Sequence, residues 1–179
     1  MASELKPDLS CVPYRRKGYY LALTVPLLGI LLLIFVYLWT FNIFLPLVFL
    51  LLYLGVCYFQ AYCCYYQDCP YVGGFCPAVI GIIPASLIAK ALYSGKPVEK
   101  SKRKFDLYAT LGVTCWIGVI AFPLFWIAKL NVWFAVGYVF AHVVYALIFG
   151  LTVCPACAIR DICPGGQFHK FVARQMSRR

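Results

Sequence analysis

The chain has 179 residues, of which 64% are hydrophobic and only 12% charged, with Lys and Arg numbering 16 against six Asp and Glu. So apolar a composition leaves too little polar surface for a water-soluble domain, and the length suits one compact membrane domain, 1–179. The formal charge of +10 raises nucleic acid as a partner. However, the basic residues flank apolar stretches and no basic-aromatic motif stands outside them, so topology and the anionic headgroups of a lipid bilayer account for the charge and no nucleic acid is expected.

The chain opens on a polar segment containing Glu4, Lys6 and Asp8, followed by Arg15, Arg16 and Lys17. Residues 18–67 carry no Asp, Glu, Lys or Arg, which is room for two membrane spans of roughly 20 residues each. The first span is expected over 19–39. It is too long for the apolar region of a signal peptide and lacks a small-residue cleavage motif after it, so it should be retained. A tight turn at 40–42 sends a second span, 44–62, back to the starting side. Residues 62–77 form a loop dense in Cys, Tyr and Gly. Residues 77–93 read as a helix opening on Pro77, with Pro84 inside and Lys90 near its end. At about 1.5 Å per residue this segment barely crosses a bilayer. Crossing would also put the basic run near Lys102 on the side opposite Arg15, so it reads as a re-entrant or interfacial helix. A polar connector containing Gly95, Pro97, Lys102, Arg103 and Lys104 follows. The third span, 107–128, should bend near Pro123. Lys129, Leu130 and Asn131 make the next turn, and the fourth span runs over 132–153. In the tail, 164–179, Phe168, Phe171 and Val172 share one helical face among Lys170, Arg174 and Arg178, the pattern of a basic amphipathic helix on a membrane surface.

Among the Lys and Arg residues only Lys129 lies between the spans of the second hairpin; the rest precede the first span, join the hairpins or follow the last span. Since Lys and Arg resist translocation, they mark the cytoplasmic face. The expected fold is therefore an all-α, polytopic membrane helical bundle. It has four transmembrane helices as two hairpins, a re-entrant or interfacial helix, and both N- and C-termini cytoplasmic. The halves 15–93 and 102–179 read as a degenerate tandem repeat, each a hairpin followed by a Cys-Pro-rich segment. Arg15, Arg16 and Lys17 match Lys102, Arg103 and Lys104, Asn42 matches Asn131, and Cys76-Pro77 matches Cys163-Pro164. Both halves start from one side, so the repeat is parallel rather than inverted.

The ten cysteines are the main chemical signal. Cys57 and Cys115 lie within spans and read as packing residues. Cys63, Cys64, Cys69 and Cys76, with Cys154, Cys157 and Cys163, fall where spans return to the basic side. In a reducing compartment such groups serve as metal ligands or redox thiols rather than as a disulfide framework. Proline follows Cys69, Cys76, Cys154 and Cys163, fixing φ in the turns that present the sulfurs. The spacings are C-x4-C-x6-C from Cys64 and C-x2-C-x5-C from Cys154, and a Cys-x2-Cys pair can chelate one metal from a single turn. Cys76 and Cys163 also precede helix starts, where the positive end of the dipole favours thiolate. Acylation of Cys63 and Cys64 is the alternative at a membrane boundary.

The run Gly74-Phe75-Cys76-Pro77-Ala78 before an apolar helix resembles the cytoplasmic Cys-Pro motifs of membrane ferredoxin-type four-helix subunits. That resemblance implies an iron–sulfur cofactor fed from quinol. Those subunits carry C-x3-C-P, and Val72 and Ile159 stand at the upstream cysteine positions here. Cys154-Pro155-Ala156-Cys157 resembles a knuckle of zinc ribbons or rubredoxins, which implies Zn as the alternative metal.

The residues singled out as metal ligands are thus Cys64, Cys69, Cys76, Cys154, Cys157 and Cys163. His142, midway along the fourth span, is an intramembrane ionisable group, read either as a neutral histidine bonded to a neighbouring helix or as the contact for a quinone cofactor. No phosphate-binding loop, serine triad or paired catalytic carboxylate is present. The favoured function is an iron–sulfur electron-transfer subunit, working beside membrane redox-complex subunits or an acidic soluble partner. The alternatives are a thiol/disulfide oxidoreductase using Cys154 and Cys157, and a structural or assembly subunit with a zinc site or acylated cysteines.

Overall fold

Long runs of Leu, Ile, Val and Phe surrounded by hydrocarbon satisfy every backbone N–H and C=O within one segment only as an α-helix. The computed structural model describes the backbone of residues 17–69, 72, 82–93, 100–152 and 174. Its regular elements are all helical: α1 (Lys17–Trp39), α2 (Phe44–Tyr66), α3 (Ile82–Tyr93), α4 (Lys102–Ala121), α5 (Leu124–Leu130) and α6 (Val132–Thr152). Three helical stretches are long and apolar enough to cross a membrane: Phe44–Tyr66, Lys102–Leu130 and Val132–Leu151. α1 adds the shorter apolar stretch Thr24–Trp39.

Each helix turns only a narrow stripe inward. Leu27, Leu31, Ile34 and Leu38 of α1 are buried at spacings of three and four residues, as are Tyr138, Tyr145 and Phe149 of α6 at spacings of seven and four. Outward lie Leu32, Leu33, Leu51, Phe134 and Phe140, all strongly exposed. An apolar exterior that extensive is unsuited to water and suited to lipid.

α2 is the hub, packing most extensively on α4, then on α3 and α1. Small residues allow the close approach. A methyl group added at Gly55 would meet Cys115 Sγ at 3.0 Å, and one at Gly118 would meet the Leu52 side chain at 3.0 Å. α3 presents Ala85, Ser86 and Ala89 as its buried face. At about 1.5 Å per residue its twelve residues reach about 18 Å, short of a bilayer core of about 30 Å.

The bend anticipated at Pro123 is a real break between α4 and α5. Proline has no N–H to give the carbonyl four residues back, here that of Val119. The Tyr138 hydroxyl on α6 donates to that carbonyl at 2.9 Å, and both residues are buried. The gap that the proline opens is thereby closed from the neighbouring helix.

At the two turns Asn42 and Asn131 have the same local role. The Asn42 Oδ1 accepts from the Phe44 N–H at 3.0 Å, and the Asn131 Oδ1 accepts from the Trp133 N–H at 2.8 Å, so each caps the helix that follows. The Tyr37 hydroxyl donates to the Trp126 carbonyl at 3.2 Å, which places both turns at one end of the bundle. Exposed Trp39, Trp133 and Lys129 lie near that end. The other end joins the close of α2 to the start of α4 through Tyr66 stacked on Phe105 at 4.7 Å.

Helix ends depart from the expected spans because hydropathy marks a hydrocarbon boundary and hydrogen bonding marks a helix. α2 continues past Tyr62 to Tyr66, and α4 starts at Lys102 rather than at 107. Asn131 alone separates α5 from α6. The described helix within 77–93 is Ile82–Tyr93, and residues 77–81 lie outside the described residues, as does the expected tail helix apart from Arg174.

Tyr138→Phe removes the donor and strands the Val119 carbonyl. It should lower the unfolding free energy in mixed micelles by about 1 kcal/mol. Phe134→Leu on the outward face should leave that free energy nearly unchanged.

Candidate functional site

The cysteine-bearing end is built by the way α2 stops. Asp68 adopts φ 50, in the left-handed region that short polar side chains tolerate better than most. The Asp68 N–H then reaches the Tyr65 carbonyl at 3.2 Å, and the Cys69 N–H reaches the Cys64 carbonyl at 3.0 Å. These two bonds make a Schellman turn, which satisfies the last carbonyls and sets the residue after the turn against the helix's final winding. Cys69 is buried at 3% exposure while Cys64 is half-buried. Two of the anticipated ligands are therefore neighbours through their backbones. The Asp68 carboxylate is paired with the Lys100 ammonium, which ties this turn to the approach to α4.

An aromatic collar holds the same region. Tyr65 stacks on Tyr93 at 4.8 Å, and Tyr62 meets Tyr108 edge-on at 4.9 Å and Tyr93 at 5.8 Å. The Tyr62 hydroxyl accepts from the Ser101 N–H at 3.3 Å, at the residue preceding α4. The Lys100 ammonium lies 5.4 Å from the centre of the Tyr65 ring, within cation–π range. The collar gathers α2, α3 and α4 around the cysteine turn. Burial, and then the surrounding Tyr58, Tyr108, Tyr62 and Cys63, push the Tyr93 phenol up to about 12.

Among the described residues no three His, Cys, Asp or Glu side chains are grouped to hold a metal ion. Cys76, Cys154, Cys157 and Cys163 lie outside the described residues. The five described cysteines are thiols. Cys57 is fully buried and Cys115 fills the notch at Gly55, so both pack as anticipated.

His142 is 2% exposed within α6. Its Nδ1 lies 2.9 Å from the Tyr138 carbonyl one turn earlier, so the bond is to its own helix rather than to a neighbouring one. A carbonyl only accepts, so Nδ1 carries the proton and Nε2 of the neutral ring is an acceptor. The ring also meets Tyr138 at 4.5 Å, edge-on. Beside it, between α4 and α6, is a cavity of about 240 Å³ that Trp116 also lines.

Sequence reasoning missed Trp116, Tyr138 and the tyrosine collar as positioning groups. The spacing of Tyr58, Tyr62, Tyr65 and Tyr66 along one helical face was a usable signal for the collar. Nothing local marks Trp116, because its role depends on the register between helices.

Comparison with known protein families, with curated proteins and with solved structures finds no match.

Because its folded-state pKa is raised, Tyr93 contributes stability that is intact below about pH 10 and lost as pH rises towards about 12. Ultraviolet difference titration of the wild type against Tyr93→Phe should show one phenol ionising near pH 12, and the pH-dependent loss of stability should be smaller in the variant.

Proposed function

We propose that the chain is a four-span membrane protein with both termini cytoplasmic, carrying a thiolate metal site at its cytoplasmic end. In this reading the site is an iron–sulfur electron-transfer centre. The fourth span is α1, which has no charged residue after Lys17. The orientation follows from keeping the basic run Lys102, Arg103 and Lys104 on the side that resists translocation.

The observation that carries the reading is the Schellman turn that sets Cys69 against the last winding of α2 beside Cys64, at the end where α4 begins with its basic run. Thiolates are soft ligands that suit iron–sulfur clusters and zinc. The remaining donors are Cys76, Cys154, Cys157 and Cys163, which follow spans returning to the same end in the four-span topology. A cluster bound there would supply one-electron transfer. The protein's part is to supply thiolates, and to offset the anionic charge with Lys100 and the α4 basic run. That basic rim suits an acidic soluble redox partner, and the outward apolar faces suit neighbouring membrane subunits.

Anaerobic purification of the full chain, followed by metal and acid-labile sulfide analysis and visible absorption, tests this. The expected result is iron with sulfide, both reduced by at least half in Cys64→Ser and Cys69→Ser. Zinc without iron would make the site structural. A metal-free chain with a reversible Cys154–Cys157 disulfide would replace electron transfer through a cluster by thiol exchange.

A further inference from the structure

We propose that the space between α4 and α6 is a binding site for a compact ring bearing a hydroxyl group, such as a phenol or a cyclic alcohol, recognised by Trp116 and His142. The inference stands apart from the metal site and rests on a different part of the molecule. The cavity, about 240 Å³, is lined by Trp116 and Ile120 of α4 and by Val139, His142, Val143 and Ala146 of α6. Two polar atoms of its lining residues, Trp116 Nε1 and His142 Nε2, are buried and have no hydrogen-bond partner among the described residues. Buried polar atoms ordinarily find partners, because leaving one unmet costs stability.

Their chemistry is complementary. Indole Nε1–H only donates. With Nδ1–H engaged by the Tyr138 carbonyl, the neutral His142 ring offers Nε2 as an acceptor. A hydroxyl meets both: its oxygen accepts from Trp116 and its hydrogen is donated to His142. A carbonyl or an ether could serve only Trp116, and among the described residues no charged one lines the cavity to hold an ionic ligand.

Size sets the body of the ligand. An apolar cavity of about 150 Å³ holds a benzene molecule, so the larger space here accommodates a substituted single ring. The outer wall includes Val143 and Leu147, both exposed on the apolar exterior. A ligand tail therefore has a hydrocarbon route out, and a ligand dissolved in the bilayer has a route in.

The test is anaerobic calorimetric titration of the full chain in lipid nanodiscs with trimethylhydroquinone, its dimethyl ether and menthol. At least one hydroxyl compound should bind, and the hydroquinone should bind roughly tenfold more tightly than its ether, the difference that one hydrogen bond makes. His142→Phe should erase that difference. Trp116→Phe should weaken hydroquinone and ether alike by several-fold while leaving the thermal midpoint of the ligand-free protein unchanged or higher. Ala146→Phe, which fills the cavity, should abolish binding of every compound. Tighter binding of the hydroquinone assigns an aromatic headgroup, and tighter binding of menthol assigns an alicyclic alcohol. The proposal is overturned if neither hydroxyl compound binds, if hydroquinone and ether bind equally to the wild type, or if Ala146→Phe leaves binding intact. Should His142→Phe fail to fold, the Trp116→Phe and Ala146→Phe measurements still decide the matter.

Discussion

A backbone carbonyl released inside a hydrocarbon-facing bundle must find a donor within the protein, and Pro123 releases one. The Val119 carbonyl loses its helical partner and is met instead by the Tyr138 hydroxyl at 2.9 Å. That bond pins α6 against α4 at a fixed height. One turn further along α6, His142 gives its Nδ1 proton to the Tyr138 carbonyl, and its side chain lines the same cavity as Trp116. A single proline thus frees the carbonyl through which α6 is bonded to α4. The same proline appears in the sequence only as a bend.

The opposite end obeys a different constraint. There the chain leaves the apolar interior, and the last carbonyls of α2 are met by folding the backbone over at Asp68. The residue in the left-handed conformation is an aspartate rather than glycine, and its carboxylate pairs with Lys100. Aromatic stacking supplies what small size and charge do not: Tyr62, Tyr65 and Tyr66 of α2 reach Tyr93, Tyr108 and Phe105 on two other helices. These ring contacts brace the end of α2 that carries Cys64 and Cys69.

Much of the helical layout was legible because its cause is local. Residues 18–67 carry no charge, and that alone marks two apolar segments with a turn at Asn42. The turn at Asn131 was legible for the same reason, since an asparagine side chain caps the following helix without help from distant residues. Helix ends were less legible. Lys102 begins α4 although it is charged, because a helix extends for as long as its hydrogen bonds do, whether or not it has left the hydrocarbon. At the cysteine end, spacing drew attention to Cys64 and Cys69, but the tolerance of an aspartate for the left-handed region is too weak a signal to place a positive φ at Asp68 from the sequence. That Trp116 and His142 line one cavity was invisible, because it depends on how α4 and α6 are placed against each other. Residues far apart in the chain share a cavity only once both are in place.

In the proposed topology the two ends of the bundle face opposite sides of a membrane, with Lys129, alone among the described lysines, at the turn end and Lys102 and Lys104 at the cysteine end. All three lysines are exposed, so a membrane-impermeant amine reagent can distinguish them without altering the chain. In sealed, right-side-out vesicles, peptide mass spectrometry should find Lys129 labelled and Lys102 and Lys104 protected until the membrane is permeabilised. Equal labelling of Lys129 and Lys102 from one side of an intact membrane would contradict the topology, and with it the convergence of the cysteine-rich segments on a single face.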